Sequence, residues 1–323
     1  MNALRLAHVA ALSALLTPVA APSQAPPAVL ERRGVATFTG AEARQRLDLY
    51  LPGATARDSA FAVVLFVHGG SLSGGARDEP RYAELCRAFA GAGIGCASVG
   101  YRLFPSVDWP APATDVARAV RWVRDSIGGA GGDAPRIFLL GHSSGCTLAS
   151  LLGVDSTHLA RARLAPRDLA GVVALGCRLN GGLDTAGVPR ERVERYLATD
   201  EWARRFRGDL AAIDSFRPFR HVSPGMPPFL VLMGERERFR PPLLRDAVDF
   251  VSLALDCGAD AEVRVVQGRG HEEMIAALAD PRDEAFRLVA AWIRRVVAGG
   301  TPPARYDPPD LEACRRAGAG TPR

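Results

Sequence analysis

The run Phe61-Ala62-Val63-Val64-Leu65-Phe66-Val67 has no polar residue on either face that a strand would present. A strand of that kind is stable only when both faces are covered, as in a parallel sheet lying between layers of helix. Ile94–Tyr101, Arg136–Leu140, Gly171–Leu175, Pro228–Met233 and Glu262–Val266 read as further strands. Helical patterns separate them at Pro80–Ala90, Ala113–Ser126, Ser144–Leu152, Pro242–Leu255 and Glu284–Val297, and in the second Val116, Ala119, Val120 and Val123 share one face. Strand and helix in alternation predict an α/β fold, a doubly wound, mostly parallel sheet with helices on both faces. Ahead of it, Gly34–Gly40 and Arg44–Pro52 read as two strands, the second alternating as Leu47, Leu49 and Leu51.

The segment from 176 to 222 is too long for a tight connection and carries helical patterns of its own at Arg190–Leu197 and Trp202–Ile213. An insertion at the carboxyl end of a parallel sheet overhangs the ligand crevice, so this one reads as a small helical cap. Its aromatics make Trp202 and Phe206 candidates for contact with a substrate; the alternative is that such aromatics pack against the sheet. The main domain is expected to span 28–298, and 299–323 reads as a Pro-, Gly- and Arg-rich tail. At the other end Arg5, the apolar Leu6–Leu16 and the small residues Val19-Ala20-Ala21 read as an export signal over 1–21, with a buried N-terminal helix as the other reading. No Cys follows the apolar stretch to accept a lipid, so no stable membrane anchor is expected.

With 48% hydrophobic and 23% charged residues the chain is neither disordered nor a polytopic membrane protein. Its net charge of +5 comes entirely from arginines dispersed among acids, a compositional bias that does not make a nucleic-acid footprint. Export would place the six cysteines where disulfides form, and sequence alone cannot choose their pairing. Cys96 and Cys146 lie in apolar runs and read as buried thiols, whereas Cys314, in the tail, is the best candidate for a tethering disulfide, with Cys257 as its partner.

The chemistry concentrates at strand ends. Gly141-His142-Ser143-Ser144-Gly145 sits between a predicted strand and a predicted helix, where a serine on a strained turn needs small residues two places to either side. Ser143 is the candidate nucleophile, and the N–H of Ser144 opens the helix as an anion donor. His68-Gly69-Gly70-Ser71 follows a buried strand, and the N–H groups of Gly70 and Ser71 would complete an oxyanion site, with His68 structural. A serine hydroxyl needs a base, and His271 in Gly268-Arg269-Gly270-His271 follows the last strand. The base needs a carboxylate, for which Glu237 is preferred and Glu235 is the fallback; both follow the strand ending at Met233. No metal-ligand spacing and no phosphate-binding glycine loop occurs, so neither metal nor cofactor is expected.

The chain resembles an α/β-hydrolase of the carboxylesterase group that includes hormone-sensitive-lipase-like, feruloyl-esterase-like and kynurenine-formamidase-like enzymes. The resemblance rests on His68-Gly69-Gly70, Tyr101-Arg102-Leu103, Asp115 with Trp122, Gly141 to Gly145, Gly234 to Glu237, and Gly270-His271. It implies a Ser143, Glu237, His271 triad, an oxyanion hole on the first loop, and hydrolysis of a small-molecule ester through an acyl-enzyme. Arg102 and Asp115 recur in the pattern and are either a bracing ion pair or separate surface charges. Ser71-Leu72 replaces the Gly-Trp or third Gly usual in relatives, and Glu237 stands where Asp is usual. Hydrolysis of an aryl-formamide by the same residues, and a non-catalytic binding protein on this fold, are the alternative readings.

Overall fold

The structure, a computed structural model, describes residues 28–53, 60–180, 188–238, 241–300 and Cys314. The expected leader and nearly all of the expected tail lie outside these residues. The strands are β1 (Val29–Ala36), β2 (Arg46–Pro52), β3 (Phe61–Val67), β4 (Gly95–Val99), β5 (Gly132–His142), β6 (Gly171–Leu175), β7 (Phe229–Gly234) and β8 (Ala261–Val266). They form one sheet in the order β1-β2-β4-β3-β5-β6-β7-β8. β2 pairs antiparallel with both β1 and β4, and the remaining neighbours are parallel.

Helices α1 (Pro80–Gly91), α2 (Ala111–Ser126), α3 (Ser144–Val154) and α4 (Ser156–Arg161) follow β3, β4 and β5. The cap contributes α5 (Arg190–Thr199), α6 (Glu201–Arg205) and α7 (Leu210–Ser215), and α8 (Glu235–Arg238), α9 (Pro241–Asp256), α10 (Glu273–Ala279) and α11 (Glu284–Val297) complete the chain. The apolar run of β3 divides as a strand's pleat requires. Val63, Leu65 and Val67 join a core with residues of α2, α3 and α9, while Val64 and Phe66 join a second core with α1, α10 and α11. Among the described residues no helix is long and apolar enough to cross a membrane.

The topology reverses at β3. The chain leaves β3 to form β4 on one side, then crosses back to form β5 on the other. The carboxyl ends of β3 and β5 therefore border a switch point, where an open α/β sheet leaves a crevice. Asp115 of α2 braces the approach to it. Only 2% exposed, it accepts hydrogen bonds from Arg102 Nε at 2.8 Å, Arg102 Nη2 at 2.9 Å, the Arg102 N–H at 3.1 Å and Gln45 Nε2 at 2.7 Å. Arg102 and Asp115 are thus an ion pair.

The structure departs from the sequence reading in several places. β1 begins at Val29, ahead of the expected Gly34, because this edge strand exposes Glu31, Arg32 and Arg33 and carries no hydrophobic alternation. The expected helix Trp202–Ile213 is two helices, α6 and α7, parted at Arg207 and Gly208, which both have positive φ (54° and 67°). Asp209 then caps α7 by accepting from the N–H groups of Ala211 and Ala212. Cys96 and Cys146 are not thiols: disulfides join Cys86 to Cys96 and Cys146 to Cys177. Each half-cystine is buried in an apolar setting, which is why its neighbours suggested a core thiol. The third disulfide joins Cys257 to Cys314, as expected.

Replacing Asp115 by Ala would leave the Arg102 guanidinium and the Gln45 amide without their shared acceptor. We expect a loss of about 3 kcal/mol in urea unfolding, at the lower end for a broken buried pair because Arg102 keeps some contact with solvent. A loss below about 1 kcal/mol would show that the pair does not brace the fold.

Candidate active site

Ser143 joins the end of β5 to the start of α3 with φ 55° and ψ −126°. This backbone conformation is costly for a side chain larger than glycine, and it turns the residue out of the sheet. The flanking glycines are required by space. A Cβ on Gly141 would stand 2.2 Å from the Gly145 carbonyl oxygen, and one on Gly145 would stand 2.2 Å from the carbonyls of Val67 and His68. The Ser143 N–H donates to the Leu175 carbonyl at 3.0 Å, so the turn is held by the end of β6. Ser144 is the first residue of α3, and its N–H is one of the orphan donors at the helix's positive end.

The loop after β3 lies directly against this turn. A Cβ on Gly69 would come within 2.9 Å of Ser143 Cβ, so only glycine fits, and the residues that follow it, Gly70 (φ 115°) and Ser71, are exposed. Ser71 and Leu72 take positive φ of 54° and 59°, the region in which a third glycine would be at ease. Three contacts hold them there. The Leu72 N–H donates to Ser144 Oγ at 3.2 Å, the Leu72 carbonyl accepts from the Phe104 N–H at 2.9 Å, and the Ser71 carbonyl accepts from Arg205 of the cap.

His271 lies in the loop after β8 and Glu237 on α8 after β7. Their side chains meet, His271 Nδ1 lying 2.6 Å from Glu237 Oε1. Glu237 is 5% exposed, and its Oε2 has no hydrogen-bond partner among the described residues. Glu235 has a different partner on the same loop. Its Oε2 accepts the Gly268 N–H at 3.0 Å and so supports the backbone of the loop that carries His271. One short turn of helix after β7 thus sends one acid to the loop and the other to the imidazole. Gly176, at the end of β6, closes the arrangement: a Cβ there would stand 2.7 Å from Glu237 Oε1 and 3.1 Å from His271 Nδ1. Ser143 and His271 therefore flank the Leu175–Gly176 backbone.

Sequence reasoning passed over His142, which lies on β5 beside Ser143. Its ring packs on that of His271 with centroids 4.5 Å apart, and its Nε2–H donates to the His271 carbonyl at 3.1 Å. That bond leaves Nδ1 unprotonated and buried, without a partner among the described residues. Burial, reinforced by the charge His271 can carry, lowers the pKa of His142 to about 4. His68 is structural, as expected: Nδ1–H donates to the Gly69 carbonyl at 2.7 Å, the ring stacks on Tyr101 at 4.3 Å, and burial lowers its pKa to about 4. Spacing alone would not have found His142, because the adjacent glycine-flanked serine accounts for the motif without it.

His142, His271 and Glu272 form a trio whose possible ligand atoms lie within 4.8 Å of one another. All three have other engagements, His142 with the His271 carbonyl, His271 with Glu237, and Glu272 with Arg81 at 2.6 Å. In the cap, Phe206 is 3% exposed and packs against Phe104, Trp109 and Phe216, with ring centroids 5.4 to 6.0 Å away. It anchors the cap to the domain and presents little surface to a substrate, which corrects the expectation from sequence. Trp202 lies on α6, and its side chain is outside the described residues.

A mostly parallel sheet in this order, carrying a serine at a strand-to-helix turn, defines an α/β-hydrolase. The BD-FAE family model matches residues 47–243, more than half of the chain, and the chain belongs to that family. It is 29% identical over 241 residues to Esterase LipC of Mycobacterium tuberculosis, an alignment covering 72% of this chain and 59% of LipC. The chain therefore spans less than two thirds of LipC's length. It is 27% identical over 266 residues to Ethyl acetate hydrolase of Pseudomonas putida, covering 76% of this chain and 77% of that protein. The structure of a truncated carbohydrate esterase from gut microbiota has the same fold, with a TM-score of 0.66 at 17% identity over 86% of this chain and 99% of that one.

Of the three histidines buried among the described residues, His68 and His142 predict a pH effect on stability. An unfolded histidine takes up its proton near pH 6.5, whereas His68 and His142 do so in the native state only near 4. Between those values the unfolded state binds more protons, so stability is lost as pH falls, by up to about 1.4 kcal/mol per pH unit for each group. Urea unfolding between pH 6.5 and 5, above most carboxylate titration, measures it. Replacing His142 by Phe should lower the slope by about one proton, and an unchanged slope would contradict the assignment.

Proposed function

We propose that the protein is a serine hydrolase of small carboxylic esters. The observation that carries this reading is the 2.6 Å contact of Glu237 with His271 beside the Ser143 turn. Ser143 Oγ attacks the ester carbonyl while His271 takes its proton, and the tetrahedral oxyanion lies against the N–H groups of Gly70, Ser71 and Ser144. His271 then returns the proton to the departing alcohol, leaving an acyl-enzyme. Water attacks the acyl-enzyme with His271 again as base and releases the acid. Glu237 holds the imidazole tautomer that presents Nε2 to the serine and balances the imidazolium charge.

The names of LipC, an esterase, and of the ethyl acetate hydrolase support the chemistry, and the second of them supports small substrates. The cap supports the same choice, since Arg205 of α6 is tied to the Ser71 carbonyl and so holds the cap close to the loop beside the serine. An exported location agrees with three disulfides, which persist in oxidising compartments.

Replacing Ser143 by Ala should abolish turnover of p-nitrophenyl acetate and labelling by an organophosphonate, with the circular dichroism unchanged. Residual wild-type turnover, or labelling of another residue, would remove the nucleophile assignment. Replacing Glu237 by Gln should lower kcat by about 10³-fold or more, because the wrong tautomer faces the serine. Glu235→Gln should cost far less, since the neutral amide still accepts the Gly268 N–H, and the reverse ranking would transfer the role to Glu235.

In a panel of acyl lengths the specificity constant kcat/KM should be highest for two- to four-carbon acyl groups. A preference for long-chain triglycerides would show that the cap does not restrict the site. An aryl-formamide turned over faster than every ester would change the substrate class while leaving the residues in place.

A further inference from the structure

The Cys146–Cys177 disulfide joins the two segments that the proposed chemistry must keep in register. Cys146 lies in the first turn of α3, and its N–H donates to the Ser143 carbonyl at 3.0 Å. Its Cα is packed so tightly on the end of β5 that a Cβ on Gly141 would stand 2.5 Å away. Cys177 directly follows Gly176, the residue against which Glu237 Oε1 and His271 Nδ1 rest. Backbone bonds carry the same linkage sideways: Ser143 N–H to the Leu175 carbonyl at 3.0 Å, and Gly176 N–H to the Leu232 carbonyl of β7 at 2.9 Å. Both cysteines are buried, at 0% and 6% exposure.

The other two bonds are placed differently. Cys96 lies within β4, opposite Tyr50 and Val64, and its partner Cys86 is on α1. Cys257 follows the end of α9, and its partner Cys314 is in the C-terminal segment. Of the three, only Cys146–Cys177 spans from the Ser143 turn to the backbone under the acid and base.

We propose that the Cys146–Cys177 disulfide is a catalytic positioning element that makes turnover depend on its oxidation state. The proposal rests on the triad reading above. A dithiol such as dithiothreitol supplies the chemistry: one thiolate attacks a sulfur of the bond to form a mixed disulfide, and the second displaces it. Two cysteine thiols and a cyclic disulfide result, so two electrons and two protons pass from the reagent to the protein. Once the bond is open, Gly176 and the Glu237–His271 pair resting on it can drift from Ser143. Misplacement by about 1 Å costs on the order of 10²-fold in rate.

The test compares the full chain with two double variants, Cys146→Ser with Cys177→Ser, and Cys86→Ala with Cys96→Ala, each shown folded by circular dichroism. For the first, kcat should fall at least about tenfold with KM within about twofold, and labelling by an organophosphonate should slow in parallel. The second should lose thermal stability and keep its kcat. An undiminished kcat in the first, or an equal loss in both, would overturn the proposal. Should the first variant not fold, wild-type protein reduced in steps, alkylated and mapped by mass spectrometry answers the same question. Activity should track the surviving Cys146–Cys177 fraction and return on reoxidation; tracking another pair, or none, would overturn it. Failure of the triad reading is separately visible, because activity would then survive in Ser143→Ala.

Discussion

The structure around the site depends on one close approach of backbone to backbone. The turn from β5 into α3 passes so near the end of β3 that Gly145 has only 2.2 Å between its would-be Cβ and the Val67 and His68 carbonyls. That contact leaves only glycine at 145, as the crowding within the turn does at 141 and that against Ser143 does at 69, and Ser143 itself takes a positive φ that costs on the order of 1–3 kcal/mol. The cost is offset by the Ser143 N–H bond to Leu175 and by the apolar burial of α3, whose Leu148, Leu151 and Leu152 are fully covered. Because the turn and the β3 loop share the same gap, Gly69 and Ser143 are brought together by packing.

The electrostatics follow from what the crevice keeps neutral. Two buried histidines stand beside the Ser143 turn, and burial keeps both uncharged at neutral pH. Each gives its single N–H to a backbone carbonyl. Glu237 has one partner through Oε1 and none among the described residues through Oε2, which directs its charge at the imidazole. The His271 ring thus meets the Glu237 carboxylate at 2.6 Å, with Glu272, tied to Arg81, within 4.8 Å as a second acid nearby.

How much of this was legible in the sequence depended on whether local pattern or long-range contact decided each feature. β3 and β6 were read to the residue, because a strand covered on both faces is apolar throughout, and α11 likewise from its amphipathic repeat. β1 was misread because its residues face solvent at the sheet edge, and the cap's second helix because its break depends on positive φ at Arg207. Ser143 and His271 could be picked out as strand-end residues in glycine-rich settings. The sequence favours Glu237 but leaves Glu235 open, since both lie on one short turn of helix, and the fold places Glu237 against the ring. Cys146 misled for a similar reason: its partner lies 31 residues away, and its apolar neighbours look the same around a thiol as around a disulfide.

The cap and the loop after β3 are one mechanical unit. Ser71 and Leu72 hold a backbone conformation that side chains resist, and part of what keeps them there is Arg205, donated by α6 to the Ser71 carbonyl. α6 in turn is fixed at its end by Phe206, wedged among Phe104, Trp109 and Phe216, and Trp109 Nε1–H donates to Ser215 Oγ of α7 at 3.2 Å. Aromatic packing remote from the serine therefore helps set the direction of the N–H groups beside it. A loop with glycine at 71 would reach the same conformation unaided, whereas this chain has replaced that intrinsic freedom with contacts from the cap. The cap is thus a fixed wall whose inner packing, with Phe206 and Phe216 turned toward the domain, supports the loop after β3.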